Sequence, residues 1–361
     1  MSQIFTMKKI FTSLLLSAAF INTQAQITIT AADMPVSGDT LRYSIANPIG
    51  SGFSAADSGV SKMWDFSTLT ANAQGVDTFK KATSVNITYG LTISPTAYGY
   101  KVADSFPIPS STLPISIKEM YTFFNKKSSP SRFVAEGFAA KISSIPTPVN
   151  YSDEDEWYYF PLDYNNTNSS TFALDFSLPT IGSMKMSGTR LTRVDAWGKI
   201  KTPYFTTATD CIRVRTVVDE IDSVKAAIIN IGIPRKTVEY KFLVNGEHYP
   251  ALWVTATVVG TTETITSIRY RDTKRATTSV SNISAAINEV KCFPNPVAKG
   301  VLNLEIPQDW KDFSWSLYDV TGANILSAAN QHQINMATFS SGAYVLLIQH
   351  DATVQYLVIQ N

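Results

Sequence analysis

Side chains that could act as a general base are scarce in this sequence. Histidine occurs three times, as His248, His332 and His350. Catalysis by histidine needs a nucleophile and an orienting group within hydrogen-bond reach. The sequence carries no G-x-S-x-G, HExxH, P-loop or G-x-G-x-x-G motif. His248 follows an Asn-Gly turn, so we interpret it as a solvated surface residue, and we predict no catalytic residue.

A pair of carboxylates is a second catalytic arrangement, because glycosidases use two Asp or Glu residues and need no histidine. The candidate carboxylates are Asp65, Asp163, Asp175, Asp195 and Glu239. Their spacing does not select two of them. Trp197 follows Asp195 closely and could stack on a sugar ring or fill the core. A polysaccharide hydrolase is therefore one alternative function.

A run of acidic residues, SDEDE at 152–156, stands before the aromatic run WYYF at 157–160. Carboxylate oxygens are ligands that Ca²⁺ prefers, so Asp153 and Asp155 are candidate metal ligands. The run lacks the glycine and the glutamate that an EF-hand loop requires. We therefore favour a solvated loop that shields the aromatic residues from aggregation, and we expect no cofactor.

Composition places the chain among globular proteins rich in β-structure. It has 361 residues, of which 44% are hydrophobic and 16% charged, and a net charge of +1. This balance excludes a disordered chain and offers no basic surface for nucleic acid. The two cysteines, Cys211 and Cys292, form no CxxC or Cys/His cluster. A disulfide framework and a structural zinc site are therefore not expected.

The N-terminus has the three parts of a secretory signal peptide. Two lysines precede an apolar run over residues 10–21. That run is shorter than the ~20 residues needed to cross a bilayer. Thr23 and Ala25 are small residues at the −3 and −1 positions of a cleavage site. We predict a signal peptide over residues 1–25, cleaved after Ala25.

Residues 26–272 are predicted to form one large antiparallel β domain, a sandwich or a half-barrel. Hydrophobic and polar residues alternate with the period of two that is typical of strands, as in VEYKFLV at 238–244. The dipeptide Asn245-Gly246 follows and is a strong hairpin signal. The segment 220–231 fits either a helix or a pair of strands.

The segment 273–290 is small, polar and free of aromatic residues, as expected of an exposed linker. A second β unit follows over 291–361. Its sequence blocks are defined by Pro294, Asn295, Pro296, Gly300, Tyr318, Asp319, Gly322, Gly342 and Tyr344. The prolines favour an extended entry strand, and the glycines permit tight turns. We expect a small antiparallel, immunoglobulin-like sandwich of about seven strands.

In the order and spacing of these blocks, residues 291–361 resemble the type A C-terminal sorting domain of the type IX secretion system of Bacteroidetes. The chain departs from that family by ending QYLVIQN, without the usual basic residue. The resemblance implies a secreted or cell-surface protein. It further implies export by the general secretion translocon and then by the type IX outer-membrane machinery, and removal of the tail by a sortase-like protease. Release or attachment to surface lipopolysaccharide would follow.

The larger domain resembles uncharacterised secreted Bacteroidetes proteins through EWYYFPLDYNNT at 156–167, VDAWGKIKTPYFTTATDCIRVR at 194–215 and YPALWVTAT at 249–257. Its strand, proline-containing turn and second strand are also similar to half-barrel lipid carriers. Neither resemblance supplies an activity. We predict a secreted or surface β-protein that binds a partner, such as a surface polysaccharide, or serves as a structural component. The alternatives are a polysaccharide hydrolase and a half-barrel carrier of lipid or another small apolar ligand.

Overall fold

The structure is a computed structural model that describes residues 26–105, 116–178, 182–226, 229–275, 290–298, 300–319, 323–350 and 353–361. The predicted signal peptide, with its cleavage site at Ala25, and most of the predicted linker lie outside the described residues. The structure is 65% strand and 4% helix, which confirms the all-β prediction. Its helical segments are the 3-10 turn η1 (Ala31–Asp33), α1 (Ala82–Val85) and α2 (Ile87–Thr92).

Among the described residues, fourteen strands of the larger domain form one sheet. They are β1 (Thr40–Ala46), β2 (Gly59–Asp65), β3 (Ala71–Thr78), β4 (Lys80–Lys81), β5 (Tyr98–Ser105), β6 (Ile117–Ser128), β7 (Ser131–Ile142), β8 (Ile145–Tyr159), β9 (Thr167–Leu178), β10 (Gly182–Lys201), β11 (Thr209–Ala226), β12 (Ile229–Leu243), β13 (Leu252–Val259) and β14 (Thr262–Arg271). The order is β3-β1-β14-β13-β12-β11-β10-β9-β8-β7-β6-β5-β4, and β2 pairs with β10 in parallel.

A single stretch of chain joins the two ends of this sheet. Strand β3 at one end and β4 at the other flank Phe79. Strand β1 pairs with β3 on one side and with β14 on the other, where Tyr43 stands opposite Arg271. The sheet is therefore a nearly closed half-barrel, one of the two architectures that the sequence predicted.

Strand β12 shows that both faces of the half-barrel wall are covered. Val238, Tyr240 and Phe242 belong to one cluster of buried side chains, together with residues that follow β2. On the other face, Lys241 and Leu243 point to the interior of the half-barrel. The alternation of the sequence is thus real, but its polar positions face a buried interior and not the solvent.

Two local interpretations of the sequence are settled by the strands. The segment 220–231 is a strand pair, because β11 ends and β12 begins within it and the two pair antiparallel. The acidic run 152–156 is not the solvated loop that we expected, since it lies inside β8. Asp155 points inward and is 6% exposed. Its carboxylate forms an ion pair there with Arg190, a buried residue of β10.

The C-terminal unit consists of two small sheets of three and four strands. Its strands are β15 (Lys291–Ala298), β16 (Val301–Glu305), β17 (Ser314–Tyr318), β18 (Asn324–Ala329), β19 (Gln333–Asn335), β20 (Ala343–His350) and β21 (Thr353–Gln360). The sheet orders are β15-β16-β19 and β18-β17-β20-β21. Side chains of both sheets, among them Leu302, Trp315 and Leu346, share one apolar core. The small sandwich predicted for this unit is confirmed.

Candidate functional site

A cavity of about 50 Å³ lies inside the half-barrel. Its walls are mainly aromatic and apolar, and include Ile29, Phe79, Phe124, Phe133, Trp157, Leu243 and Trp253. The ring of Phe124 stacks on Phe133 at 4.9 Å and meets Trp157 edge-on at 5.0 Å between centroids. Because these rings come from three consecutive strands and contact one another, they form a fixed wall.

Four charged side chains form a buried network beside this wall. Arg190 donates to both carboxylate oxygens of Asp155, at 2.6 and 2.7 Å. The guanidinium also lies 3.8 Å from Glu239, and Lys241 Nζ lies 3.0 Å from the same carboxylate. Two positive and two negative groups leave the network neutral. Removing one member would leave a buried charge without compensation.

Lys241 is held between two indole rings. Its Nζ lies 4.2 Å from the ring centroids of both Trp157 and Trp253. Burial lowers the pKa of Lys241 below its ordinary value, although Glu239 opposes this. At Glu239, burial raises the pKa, but Lys241 and Arg190 outweigh it and keep the pKa below its ordinary value. The buried ammonium is thus accommodated by a carboxylate and two ring faces.

Two other polar groups that line the cavity lack a side-chain hydrogen bond among the described residues. Asp77 and Tyr249 both line it, and each is 6% exposed. Within the described part of the chain, the Tyr249 hydroxyl makes no hydrogen bond and no side chain donates one to Asp77. Burial raises the pKa of Asp77 to about 6, with Arg269 opposing. Buried polar groups are normally hydrogen-bonded, so these two mark the cavity as a candidate binding site.

The first residues of the described chain close one side of the cavity. Ile29 and Met34 are buried in its wall. Ile29 also exchanges backbone hydrogen bonds with Leu162 at 3.2 and 2.8 Å. The carboxylate of Asp33 accepts a hydrogen bond from the backbone of Gly246 at 2.8 Å. Backbone and side-chain contacts therefore hold this segment in place as part of the site.

His248 stands at the rim of the same cavity. Its Nδ1 lies 2.8 Å from a carboxylate oxygen of Asp39, and its side chain is 28% exposed. The interpretation of His248 as a solvated surface residue is therefore wrong. The turn after Gly246 brings the ring back against β1, where Asp39 precedes the strand and fixes it.

In the C-terminal unit, the residues of the first sequence block tie its first strand to its last. Pro294 and Pro296 lie in β15, where pairing with β16 is interrupted, as expected of residues without an amide hydrogen. Between them, Asn295 Oδ1 accepts a hydrogen bond from the backbone of Gln360 at 2.9 Å. The block therefore joins β15 to β21.

The second group of block residues forms turns. Gly300 has a φ of 67°, and a Cβ atom there would lie 2.6 Å from the Cβ of Ala337. Asp319 accepts a hydrogen bond from the amide of Ala323 at 3.0 Å. Gly322, between these two residues, lies outside the described part of the chain. Glycine at position 300 is thus required both by its backbone angle and by the close approach of another segment.

The third group lies near the end of the chain. Tyr318 is the last residue of β17. The hydroxyl of Tyr344 donates to the backbone oxygen of Ser340 at 2.7 Å. Gly342 exchanges two backbone hydrogen bonds with Asn361, at 3.0 and 2.9 Å. All the block residues that the structure describes therefore serve strand ends, turns and closure of the small fold.

Residues 291–360 match the family model of the secretion system C-terminal sorting domain. The tail is a type IX sorting domain. A sorting domain implies contact with the type IX machinery and a secreted or cell-surface protein. No curated protein and no solved structure matches the chain. In the described ranges, no helix has the length and apolar character needed to span a bilayer.

Upstream of the sorting domain, each carboxylate considered as a possible member of a catalytic pair has a protein partner. The partners are Ser67 for Asp65, Thr28 for Asp163, Lys185 for Asp175, Arg213 for Asp195, and Arg190 with Lys241 for Glu239. Trp197 packs against the apolar core around the cavity. The structure thus assigns these residues to ion pairs, turns and packing.

The two candidate metal ligands have different surroundings. Both oxygens of Asp155 accept from Arg190, while Asp153 is exposed and accepts a hydrogen bond from Thr171 at 2.6 Å. Within the described ranges, no group of three or more His, Cys, Asp or Glu side chains is placed to hold a metal ion. The arginine contact gives Asp155 a structural partner inside the protein.

Sequence reasoning missed the polar residues that line the cavity and the charged residues beside it. Asp77, Arg190, Lys241, Tyr249 and Arg269 belong to no motif, because their proximity depends on strands far apart in the chain. One signal was present: charged residues of opposite sign alternate with apolar residues within β10 and β12. Such a pattern on central strands indicates paired charges in a filled interior.

Proposed function

We propose that the protein is a binding protein of the cell surface or the medium, whose larger domain holds a small ligand in the half-barrel cavity. The observation that carries this proposal is the joint presence of aromatic walls and buried polar groups without partners in one cavity. Leaving the buried Tyr249 hydroxyl without a partner costs stability, which a ligand group bonded to it would recover.

The proposed route begins with the predicted signal peptide and the general secretion translocon. The type IX machinery would then read the sorting domain, a sortase-like protease would remove it, and the product would be released or attached to surface lipopolysaccharide. Bacteroidetes are the proposed source. The structure of the sorting domain supports this route. Its apolar core shares no residue with the cavity lining, so it is a folded unit that a secretion machinery could recognise.

A polysaccharide hydrolase is less well supported than a binding protein. Each of the five candidate carboxylates, Asp65, Asp163, Asp175, Asp195 and Glu239, is engaged with a protein group. Glu239 lies against Arg190 and Lys241, which keep its pKa below its ordinary value and make it a poor general acid. The carrier hypothesis, by contrast, agrees with an apolar cavity inside a half-barrel.

The route is tested by deleting residues 291–361 in the native host and fractionating the cells. We expect the truncated protein to accumulate in the periplasm and to be lost from the surface and the medium. A matched control carries Tyr249→Phe with the sorting domain intact and should be exported like the unaltered protein. Full export of the truncated chain would contradict the route.

Binding is tested on the purified mature protein with a panel of short alcohols, phenol, a fatty acid and an oligosaccharide. Trp157 and Trp253 line the cavity, so we expect a ligand to change tryptophan emission and to raise the melting temperature. Leu243→Phe should fill the cavity and abolish both changes. The control Leu191→Phe alters an exposed leucine of β10 and should leave them intact. If no member of the panel gives a saturable change, the proposed function fails.

A further inference from the structure

The carboxylate of Asp77 influences the ionisation of Tyr249, and both groups lack a side-chain hydrogen bond in the ranges that the structure describes. Burial raises the pKa of Tyr249 well above its ordinary value, and the negative charge of Asp77 adds to the rise. A hydroxyl can donate and accept, whereas an ionised carboxylate only accepts. A ligand group that both donates and accepts would therefore satisfy Asp77 and Tyr249 together.

The charge of the cavity argues against an ionic ligand. The network of Asp155, Arg190, Glu239 and Lys241 is neutral. Asp77 is balanced by Arg269, which is the charge that most opposes its raised pKa. The guanidinium of Arg269 lies over the rings of Tyr43 and Trp253 at 5.0 and 5.6 Å, so its position is fixed. Asp33, which also lines the cavity, already accepts hydrogen bonds from the backbone of Thr30 and Gly246, so a charged ligand would enter without a free counter-charge.

The size of the cavity limits the group that enters. A volume of about 50 Å³ holds roughly three to five water-sized groups, since one water needs about 10–15 Å³. It is smaller than the ~150 Å³ cavity that accepts benzene in another protein. The group is therefore a short aliphatic alcohol, or the hydroxyl-bearing end of a longer chain that continues past the rim at His248.

We propose that the cavity binds an uncharged aliphatic group ending in a hydroxyl, which donates to Asp77 and accepts from Tyr249. This assignment rests on the proposed binding function and names its ligand class. The apolar stem of the group would lie against Phe79, Phe124 and Trp253.

Four probes of nearly equal size separate the ligand classes. They are 1-propanol, ethyl methyl ether, propionate and propylammonium, titrated at pH 7.5 into the ¹⁵N-labelled mature protein while the indole resonances of Trp157 and Trp253 are followed. We expect saturable shifts with 1-propanol. The ether lacks a donor, and the two ions lack a counter-charge, so each should bind at least tenfold more weakly. Equal binding of propionate or of the ether would overturn the assignment.

Variants test the two polar partners. Tyr249→Phe should weaken 1-propanol about tenfold, as expected for loss of one buried hydrogen bond. Tyr121→Phe, in a tyrosine that does not line the cavity, is the matched control and should have no effect. Asp77→Leu should abolish the preference for 1-propanol over the ether. Thermal melts confirm that each variant is folded.

Failure of the ligand class and failure of the binding function give different results. If members of the wider panel bind and Leu243→Phe abolishes that binding, the binding role stands. The hydroxyl assignment falls if Tyr249→Phe and Asp77→Leu then leave the ligand preference unchanged. If nothing binds at the cavity, both are rejected.

Discussion

The larger domain and the sorting domain bury very different side chains. Seven charged residues of the described chain are buried, and all lie in the larger domain: Asp77, Asp155, Arg190, Arg213, Glu220, Lys241 and Asp272. In the sorting domain, the buried polar residue of the described part is Ser316. An apolar core closed by tight turns is sufficient to fold this unit. Buried charges cost stability, so the placement of two of them, Asp77 and Lys241, in the cavity lining points to a use.

The largest expected effect is at Arg190. Arg190→Leu leaves Asp155 buried without its cation and leaves Glu239 with Lys241 alone, so we expect a loss of about 3–5 kcal/mol in the free energy of unfolding. Lys185→Leu on the same strand is the matched control. Its ion pair with Asp175 is more than half exposed on both sides, and its loss should cost at most about 1 kcal/mol. Denaturant titration of both variants measures the difference; equal losses would contradict the contrast between buried and exposed charge.

Asp77 should make stability depend on pH. Its pKa is raised from 3.8 to about 6 by burial, with Arg269 opposing, and the hydroxyls of Tyr100 and Tyr249 face the same cavity. Between these two pKa values the native state keeps a proton that the unfolded chain has released. Stability therefore falls as pH rises from about 4 to 6 and then levels off.

The variant Asp77→Asn removes this titration. We expect it to be more stable than the unaltered protein by up to about 3 kcal/mol at pH 8 and similar to it at pH 4. Urea unfolding at several pH values measures the effect. Asp175→Asn, in an exposed carboxylate, is the control. If the stability gained by Asp77→Asn did not vary with pH, the raised pKa of Asp77 would not be the cause of the pH dependence.

Gly300 provides the corresponding test in the sorting domain. Gly300→Ala places a Cβ atom at a φ of 67° and 2.6 Å from the Cβ of Ala337. We expect a loss of about 2 kcal/mol in the stability of this unit. Gly342→Ala is the control, because nothing lies within 4 Å of its added Cβ. Calorimetry of the full chain reports each variant. Similar melting of the two would show that the turn tolerates a side chain.

The smallest effect is expected at the last residue. The side-chain amide of Asn361 donates to the backbone oxygens of Met336, Phe339 and Ser340 at 3.2, 2.9 and 3.3 Å. Asn361→Ala should cost about 1 kcal/mol, whereas Asn361→Asp loses the donors and meets three carbonyl oxygens, so it should cost more. Thermal unfolding compares them, and the reverse order would refute the role of the amide.

The two regions also differ in how far sequence predicted them. The sorting domain was predicted with its strand number, because prolines and glycines such as Pro294, Gly300 and Gly342 mark its strands and turns directly in the sequence. The hairpin between β12 and β13 was also predicted, because the dipeptide Asn245-Gly246 marks its turn. The cavity was not predicted, since Asp77 and Tyr249 come from strands and turns far apart in sequence. Asp155 was taken for a solvated residue because neighbouring acidic residues resemble it, and only the strand register distinguishes them.

The pairing of β1 with β14 has a kinetic consequence. The ladder sets Tyr43 opposite Arg271, so this side of β1 meets its partner strand only after almost the whole domain has been synthesised. Contacts between such distant residues slow folding, because a long loop must close before the pairing stabilises it. The half-barrel therefore closes only late in synthesis. This late closure agrees with the export before folding that we propose for this chain.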